Sequence, residues 1–98
     1  MSFAVKTVTY QQNLMLNICD ANLVGRTITK DGFSLNISRS YFAERLVEKD
    51  EAEELLKKYT VINMVGNETI SLSINLGIGS IKGVKEIEGV PFLLIFKF

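Results

Sequence analysis

The sequence predicts an α+β domain, with a mostly antiparallel sheet of about five to six strands packed on one side by two or three helices. Three observations support this fold class. Short β-rich runs separated by turn residues fill the first forty positions, a charged helical pattern follows Asp50, and a long apolar run lies near the C-terminus. Ninety-eight residues are enough for one domain, so residues 1–98 are assigned to a single domain.

Two hairpins are predicted in the N-terminal part. Phe3 to Tyr10 and Leu14 to Cys19 are apolar or β-branched runs joined by a short polar loop. Arg26 to Thr29 and Phe33 to Ser38 flank the dipeptide Asp-Gly at 31–32. Both central positions of a type I′ turn need positive φ, and Asp-Gly tolerates that conformation. We therefore expect a meander of up to four strands in the first forty residues.

A helix is predicted near 50–65. Asp50 is expected to be the N-cap, with Glu53 three residues later in the capping-box position. Apolar residues then recur at helical spacing: Ala52, Leu55, Leu56, Tyr59 and Ile62. The preceding segment, 38–49, has a weaker pattern, which fits an irregular connection or a short helical turn.

The segment 67–76 fits two patterns. Apolar and polar residues alternate in it as in a half-buried strand, with Ile70, Leu72, Ile74 and Leu76 on one side. However, Asn67 is also a suitable helix cap, and Gly77 is a suitable glycine just beyond a helix end. From the pattern alone, helix and strand both remain open.

A final strand pair is predicted from Val84 to Ile87 and from Pro91 to Phe98, joined by a turn at Glu88-Gly89. The terminal strand is almost entirely apolar. We expect it to be central in the sheet, because an exposed apolar edge strand invites aggregation.

Five segments together resemble a known family over essentially the whole chain. They are ICD at 18–20, LVGR at 23–26, SYF at 40–42, EAEELLKKYTVINMVGN at 51–67 and IEGVP at 87–91. They resemble the archaeal family called domain of unknown function 424. The resemblance implies an archaeal, cytoplasmic, single-domain protein and transfers no catalytic residue.

Two details of this resemblance bear on the fold and the function. Similar sequences carry alanines and glutamates where this chain has serines after residue 67, and this composition favours a helix from Asn67 to Leu76. Relatives often have a histidine after the Val-Pro segment, whereas this chain has Phe92. Any family function that depended on that imidazole would therefore be in doubt here.

Composition excludes several functional classes. The chain has no histidine and one cysteine, which excludes Ser-His and Cys-His nucleophile pairs and a structural zinc site. We therefore assign no catalytic residue, cofactor or metal, and we expect Cys19 to be a buried structural residue. The longest apolar run, Val90 to Phe96, is far shorter than the roughly 20 residues needed to span a bilayer. A single cysteine without a signal peptide predicts a cytoplasmic protein.

The leading functional hypothesis is a non-enzymatic interaction module that binds RNA or a protein of the translation machinery. Eleven basic and eleven acidic residues cancel, so no global field favours nucleic acid. An apolar fraction of 47% is high for so short a chain and suggests spare apolar surface for a partner or a homodimer. Six rings lie in segments that also contain cations, as in proteins that stack the bases of single-stranded RNA: Phe3, Tyr10, Phe33, Tyr41, Phe42 and Tyr59. Most of these rings are nevertheless expected to lie in the core, because a domain this small needs them there.

The alternative is a carboxylate or metal-dependent enzyme, or a small-molecule binder, that uses Asp20 and Glu68. The simpler interpretation of Asp20 is a turn residue that bonds its own backbone. The candidate binding surface combines both hypotheses and comprises Asn63, Asn67, Glu68, Asp20, Arg26, Lys30, Lys82 and Lys85.

The stretch TVINMVGNET, residues 60–69, is predicted to be a joint between two helices. In this interpretation Gly66 ends the first helix in a left-handed conformation and Asn67 caps the second. Asn63, Asn67 and Glu68 would either fasten the joint to the sheet or face a partner, and fastening is favoured because asparagines at such corners usually bond the backbone.

Overall fold

A computed structural model describes residues 2–97, and in that range the chain forms eight strands and three α-helices. The strands are β1 (Ser2–Tyr10), β2 (Asn13–Asp20), β3 (Thr27–Lys30), β4 (Phe33–Asn36), β5 (Arg45–Glu48), β6 (Val61–Val65), β7 (Lys85–Ile87) and β8 (Val90–Phe96). The helices are α1 (Arg39–Phe42), α2 (Lys49–Lys58) and α3 (Asn67–Asn75), with single 3-10 turns at Ala21–Leu23 and Ile81–Gly83. No helix in the described range is long and apolar enough to cross a membrane.

Six strands form the main sheet in the order β5-β1-β2-β6-β8-β7, and β3 and β4 form a separate two-stranded sheet. All neighbours in the main sheet are antiparallel except β2 and β6, which are parallel. The predicted α+β class with a mostly antiparallel sheet is therefore confirmed. Because β2 and β6 run in the same direction, their carboxyl ends meet at one end of the sheet.

Both N-terminal hairpins form, but the predicted continuous meander is wrong. Asp31 (φ 51°) and Gly32 (φ 83°) make the expected left-handed turn between β3 and β4. The β3–β4 hairpin, however, pairs with no other described strand. The chain leaves the sheet at the 3-10 turn after β2, because Leu23 in that turn is buried in a cluster on the sheet face.

Different elements pack on the two faces of the main sheet. Helices α2 and α3 lie on one face, the helix-covered face, where Ala52, Leu56, Ile70 and Leu72 pack against Val5, Ile18, Met64 and Leu93. The β3–β4 hairpin and α1 lie on the other face, the hairpin-side face, where Ile28, Ile37 and Phe42 pack against Ala4, Cys19 and Val65. The prediction of helices on one side is confirmed for α2 and α3.

The predicted helix near 50–65 is too long. The helix ends at Lys58, and Val61–Val65 is β6, a buried strand that pairs with β2 on one side and β8 on the other. Its β-branched residues suit a largely buried strand that is paired on both sides, and tertiary pairing overrides the helical spacing of Tyr59 and Ile62. The helix also begins earlier than expected, with Glu48 in the N-cap position instead of Asp50.

The weakly patterned segment 38–49 contains a short helix and a strand. Ser38 caps α1, since its hydroxyl accepts the Tyr41 N–H at 3.2 Å. The edge strand β5 was not predicted, because four residues with a charge at each end and two apolar residues between them give too short a signal.

The last part of the chain follows its predictions. Residues 67–75 form a helix, and Gly77 (φ 76°) ends it with a bond from the Ile78 N–H to the Ser73 carbonyl. Strands β7 and β8 pair around Glu88-Gly89, and β8 lies between β6 and β7. Phe98, where the last strand was predicted to end, lies outside the described residues.

Candidate functional site

Asp20 lies where the carboxyl ends of the parallel strands β2 and β6 meet. Its Oδ1 accepts hydrogen bonds from the Thr69 N–H at 2.8 Å and from the Thr69 hydroxyl at 2.7 Å. Its Oδ2 accepts the Glu68 N–H at 3.1 Å. Asp20 therefore caps α3 from a neighbouring strand, about fifty residues away in sequence. The expectation that Asp20 bonds its own backbone is wrong.

Gly66 makes this cap fit. It has a φ of 109°, a conformation that L side chains rarely adopt, and a Cβ at this position would lie 2.4 Å from the Asp20 carboxyl carbon. Gly66 follows β6 and occupies the N-cap position of α3, and Asn67 is the first helical residue. The predicted helix–helix joint is thus a strand–turn–helix corner, and Asn67 is not its cap.

The geometry limits what Asp20 does chemically. Both of its oxygens accept hydrogen bonds, and its charge occupies the positive end of the α3 dipole, where an external anion would otherwise bind. No group of three or more Asp, Glu or Cys residues is arranged to hold a metal in the described range. Asp20 and Glu68 do line one cavity of about 530 Å3, but Asp20 would have to release α3 to ligate a cation there.

Four of the predicted candidate residues meet at this end of the sheet. Asn67 lines the same cavity as Asp20 and Glu68. Arg26 lines a second cavity of about 220 Å3, which also contacts Asp20 and Asn67.

Cys19, next to Asp20 in the sequence, is a buried core residue. Burial, together with the neighbouring Asp20 charge, raises the pKa of its thiol from 9.0 to about 12.

The other four candidate residues lie elsewhere. Asn63 is in β6, and its side chain points to the hairpin-side face, the opposite side from Asp20. Lys30 is in β3, Lys82 is in the 3-10 turn after α3, and Lys85 is in β7. The structure therefore does not bring the eight residues together as one surface.

A second candidate surface lies on the hairpin-side face, beyond the part that the hairpin covers. Residues opposite each other in neighbouring strands share a face, so the register places two rows here, Asn17, Asn63 and Leu94, and Met15, Val61 and Phe96. We call these six residues the open sheet face. Three of its members, Met15, Asn17 and Val61, are buried, and the exposed part is formed by Leu94 and Phe96, which keep 51% and 45% of their surface. Tyr41 of α1, beside this face, keeps 44%.

Asn17 is a fully buried polar residue on this face. Its Nδ2 donates to the Tyr41 carbonyl at 3.0 Å, which fastens α1 over β2. Its Oδ1 has no hydrogen-bond partner among the described residues, although Asn63 is beside it in the register. A buried acceptor without a donor costs about 1–3 kcal/mol, so this carbonyl is an unusual feature of the core.

Sequence reasoning missed the open sheet face apart from Asn63. Its one visible signal was a pair of asparagines in otherwise apolar strands, Asn17 in LMLNIC and Asn63 in VINMV. In β8 every side chain is apolar from Pro91 to Phe96, so no alternation marked Leu94 and Phe96 as the exposed ones.

The aromatic residues do not form one surface. Phe3 and Phe42 are buried, Tyr59 is half-buried and bonds Thr7, and Phe33 and Tyr41 are exposed. The side chain of Tyr10 lies outside the described part of the structure. Phe3 and Phe42 are core residues, as expected for most of these rings.

Comparisons with known proteins identify relatives but no activity. The model of the family described as "Protein of unknown function (DUF424)" matches residues 8–98. An uncharacterized conserved protein from Methanopyrus kandleri has the same fold, with a TM-score of 0.79 and 21% identity over 100% of this chain and 95% of that chain. A search of curated proteins finds no match.

Proposed function

The chain belongs to the family described as protein of unknown function (DUF424), and from that premise we propose that it is a non-enzymatic interaction module that binds a protein partner on its open sheet face. The observation that supports this function is the exposure of Leu94 and Phe96, two apolar side chains on the same face of β8. An exposed apolar surface of this kind supplies affinity in a docking site, because covering it removes apolar area from water.

The apolar part of the surface is large enough to contribute to binding. Full burial of an exposed Leu or Phe side chain stabilises a complex by roughly 1.5–3 kcal/mol before the cost of association. Leu94, Phe96 and Tyr41 each keep about half of their surface, so a partner that covered them would bury a substantial apolar area. Tyrosine and phenylalanine are also enriched at protein interfaces.

The charge distribution favours a protein over RNA, the other partner that the sequence suggested. Single-stranded RNA needs rings with cations close by. The amine of Lys6, in the row of Asn17 and Asn63, already donates to the Ser40 carbonyl of α1. None of the candidate cations Arg26, Lys30, Lys82 and Lys85 is in β2, β6 or β8, the strands that form the open sheet face. A protein of the translation machinery remains within this proposal.

The enzymatic alternative requires Asp20 to break its hydrogen bonds to the first turn of α3. Asp20 and Glu68 line the same cavity, but Asp20 holds the first turn of α3 through both oxygens. An acid–base or metal-binding role would leave two backbone N–H groups without their acceptor, at a cost of about 1–3 kcal/mol each.

The proposal is tested by capture of partners from an extract of the source organism on immobilised protein, with and without nuclease. Asn63→Arg places a bulky charge in the middle of the open sheet face, and Tyr41→Ser removes the ring beside it. Asn75→Arg is the matched control, because Asn75 is an exposed asparagine at the end of α3 on the other side of the sheet.

We expect proteins that survive nuclease to bind the wild type and Asn75→Arg, and to be lost from Asn63→Arg and Tyr41→Ser. Circular dichroism and urea unfolding establish that the variants are folded. Capture that is equal in all four proteins contradicts the proposal. Loss of every partner after nuclease would instead indicate RNA, which a steep fall of affinity for labelled single-stranded RNA with salt would establish.

A further inference from the structure

The exposed strip of the open sheet face has room for one further element. Helix α1 lies over β1 and β2, where the Tyr41 carbonyl accepts the bond from Asn17. Beyond α1 the row of Leu94 spans β6 and β8 alone, because β7 pairs with β8 only as far as Phe92. Two neighbouring strands are together about 10 Å wide, and an α-helix with its side chains is about 10–12 Å across. The strip therefore fits a single helix.

A segment that docks on this strip meets side chains and no backbone edge. Extended peptides bind by pairing with the edge of a sheet, whereas the face of a sheet is covered by a helix or by a second sheet. The other face of the same sheet is covered by helices, since α2 and α3 pack on it through apolar side chains. The shape of the strip thus suits an amphipathic helix whose apolar side lies on Leu94, which is half exposed.

The charged side chains that five strands of the sheet direct to this face are both cations. The register places Lys6 of β1 and Lys85 of β7 on the hairpin-side face. Among the described residues of β1, β2, β6, β7 and β8, no carboxylate points to that face, because Asp20 and Glu86 point to the helix-covered one. Lys85 is exposed and its amine bonds no described residue, so its charge is available to a partner.

The elements around the strip are also positive, although the protein as a whole is neutral. Residues 21–42, which pack on the hairpin-side face, carry three cations and one carboxylate: Arg26, Lys30, Arg39 and Asp31. Helices α2 and α3 carry three cations and five carboxylates: Lys49, Lys57, Lys58, Asp50, Glu51, Glu53, Glu54 and Glu68. Glu44 and Glu48 lie at the β5 edge, with β1, β2 and β6 between them and β8. The two sides of the sheet therefore differ in charge, and the positive side favours an acidic partner.

We propose that the partner segment on the open sheet face is an acidic amphipathic helix, whose apolar side covers Leu94 and whose carboxylates lie towards Lys85 on one flank and Lys6 on the other. The inference rests on the proposed function, because it names the kind of segment that the same surface binds. Lys6 and Lys85 are four strand spacings apart, about 19 Å, which a helix with one acidic side chain on each flank spans. The Lys6 amine keeps further N–H groups besides the one that the Ser40 carbonyl accepts.

Two separated cations suit such a helix better than a strand of RNA. Each nucleotide of RNA brings a phosphate, so a bound strand needs a row of cations together with rings. An acidic helix needs only a carboxylate on each flank. Charge pairs of this kind at the rim of an interface steer the encounter and select the partner.

The test identifies the docked segment and then measures its binding. The protein carries p-benzoylphenylalanine in place of Tyr41, which keeps a ring beside the open sheet face, and it is irradiated in an extract of the source organism. The cross-linked segment is identified by mass spectrometry and synthesised, and its affinity is measured at about 50 and about 500 mM salt. The variants are Lys85→Glu and Lys85→Arg. Lys49→Glu is the matched control, because Lys49 is an exposed lysine at the start of α2 on the helix-covered side.

We expect cross-links to a segment that has apolar residues and carboxylates at helical spacing. At low salt Lys85→Glu should weaken binding of the synthetic segment by about three- to tenfold, and high salt should reduce the difference. Lys85→Arg and Lys49→Glu should bind like the wild type, and circular dichroism verifies the fold of each variant.

Cross-links to a basic or extended segment, or equal affinity of Lys85→Glu and the wild type, would overturn the inference. The proposed function would survive either result if Asn63→Arg still abolished the capture of protein partners. Both would fail if no protein were captured, or if nuclease removed every cross-link.

Discussion

Asp20 is the residue on which the corner between β2, β6 and α3 depends. Its carboxylate accepts two N–H groups and one hydroxyl in a corner where Thr69 is fully buried. Asp20→Ala leaves these donors unpaired and removes a negative charge from a helix N-terminus. We expect a loss of about 2–4 kcal/mol in the free energy of unfolding, measured in urea.

Asp31→Asn is the control for this prediction. Asp31 is exposed in a turn with positive φ, a conformation that asparagine also tolerates, so its effect should stay within about 0.5 kcal/mol. Equal stability of Asp20→Ala and the wild type would show that the corner is held by other contacts, and would return Asp20 to the list of residues free for chemistry.

Cys19 gives a prediction about pH. Burial raises its pKa in the folded protein to about 12, against an ordinary value of 9.0. Above about pH 9 the thiol of the unfolded chain ionises while the folded one stays protonated, so ionisation favours unfolding. The stability that the protonated Cys19 thiol contributes to the folded state is fully present below about pH 9, and it is lost progressively as pH rises towards 12.

The measurement is the difference in unfolding free energy between the wild type and Cys19→Ala across the alkaline range. Cys19→Ala has no thiol to titrate. Between about pH 9 and 12 the unfolding free energy of the wild type should therefore fall relative to that of the variant, by up to about 1.4 kcal/mol for each pH unit. A difference that does not change with pH would show that the folded thiol ionises normally. The native thiol should also resist alkylation until urea unfolds the chain.

At the level of elements, the sequence signals were reliable where a feature is local and misleading where it depends on pairing. The turn at Asp31-Gly32 and the glycine after α3 both need positive φ, and both formed as predicted. The boundary between α2 and β6 was wrong, because Tyr59 and Ile62 continue a helical spacing that ends at Lys58 in the structure. What makes Val61–Val65 a strand is the presence of β2 and β8 on either side, which local spacing does not show.

The β6–α3 corner gives a prediction at this level. Gly66→Ala adds both backbone strain and a clash with the Asp20 carboxylate, whereas Gly25→Ala adds strain alone, because Gly25 has a similar φ of 96° and open space around it. We expect losses of about 1 kcal/mol for Gly25→Ala and at least about 2–3 kcal/mol for Gly66→Ala.

A double-mutant cycle separates the two causes. If the clash acts through the cap, Gly66→Ala should cost much less in an Asp20→Ala background than in the wild type, by about 1 kcal/mol or more. Additive losses would show that Gly66 and Asp20 act independently, and that the close approach of their atoms has no energetic consequence.

For the molecule as a whole, the fold class followed from composition and periodicity, but the sites did not. Asp20 and Thr69 lie 49 residues apart in the sequence. The hydrogen bond that gives each of them its role in the corner therefore leaves no sign in any local sequence pattern. The open sheet face is also invisible in a local pattern. Its rows are formed by residues of three strands, and they depend on which strands pair with each other. The interaction-module hypothesis was therefore formed from excluded chemistry and surplus apolar residues, and only the register shows where those residues lie.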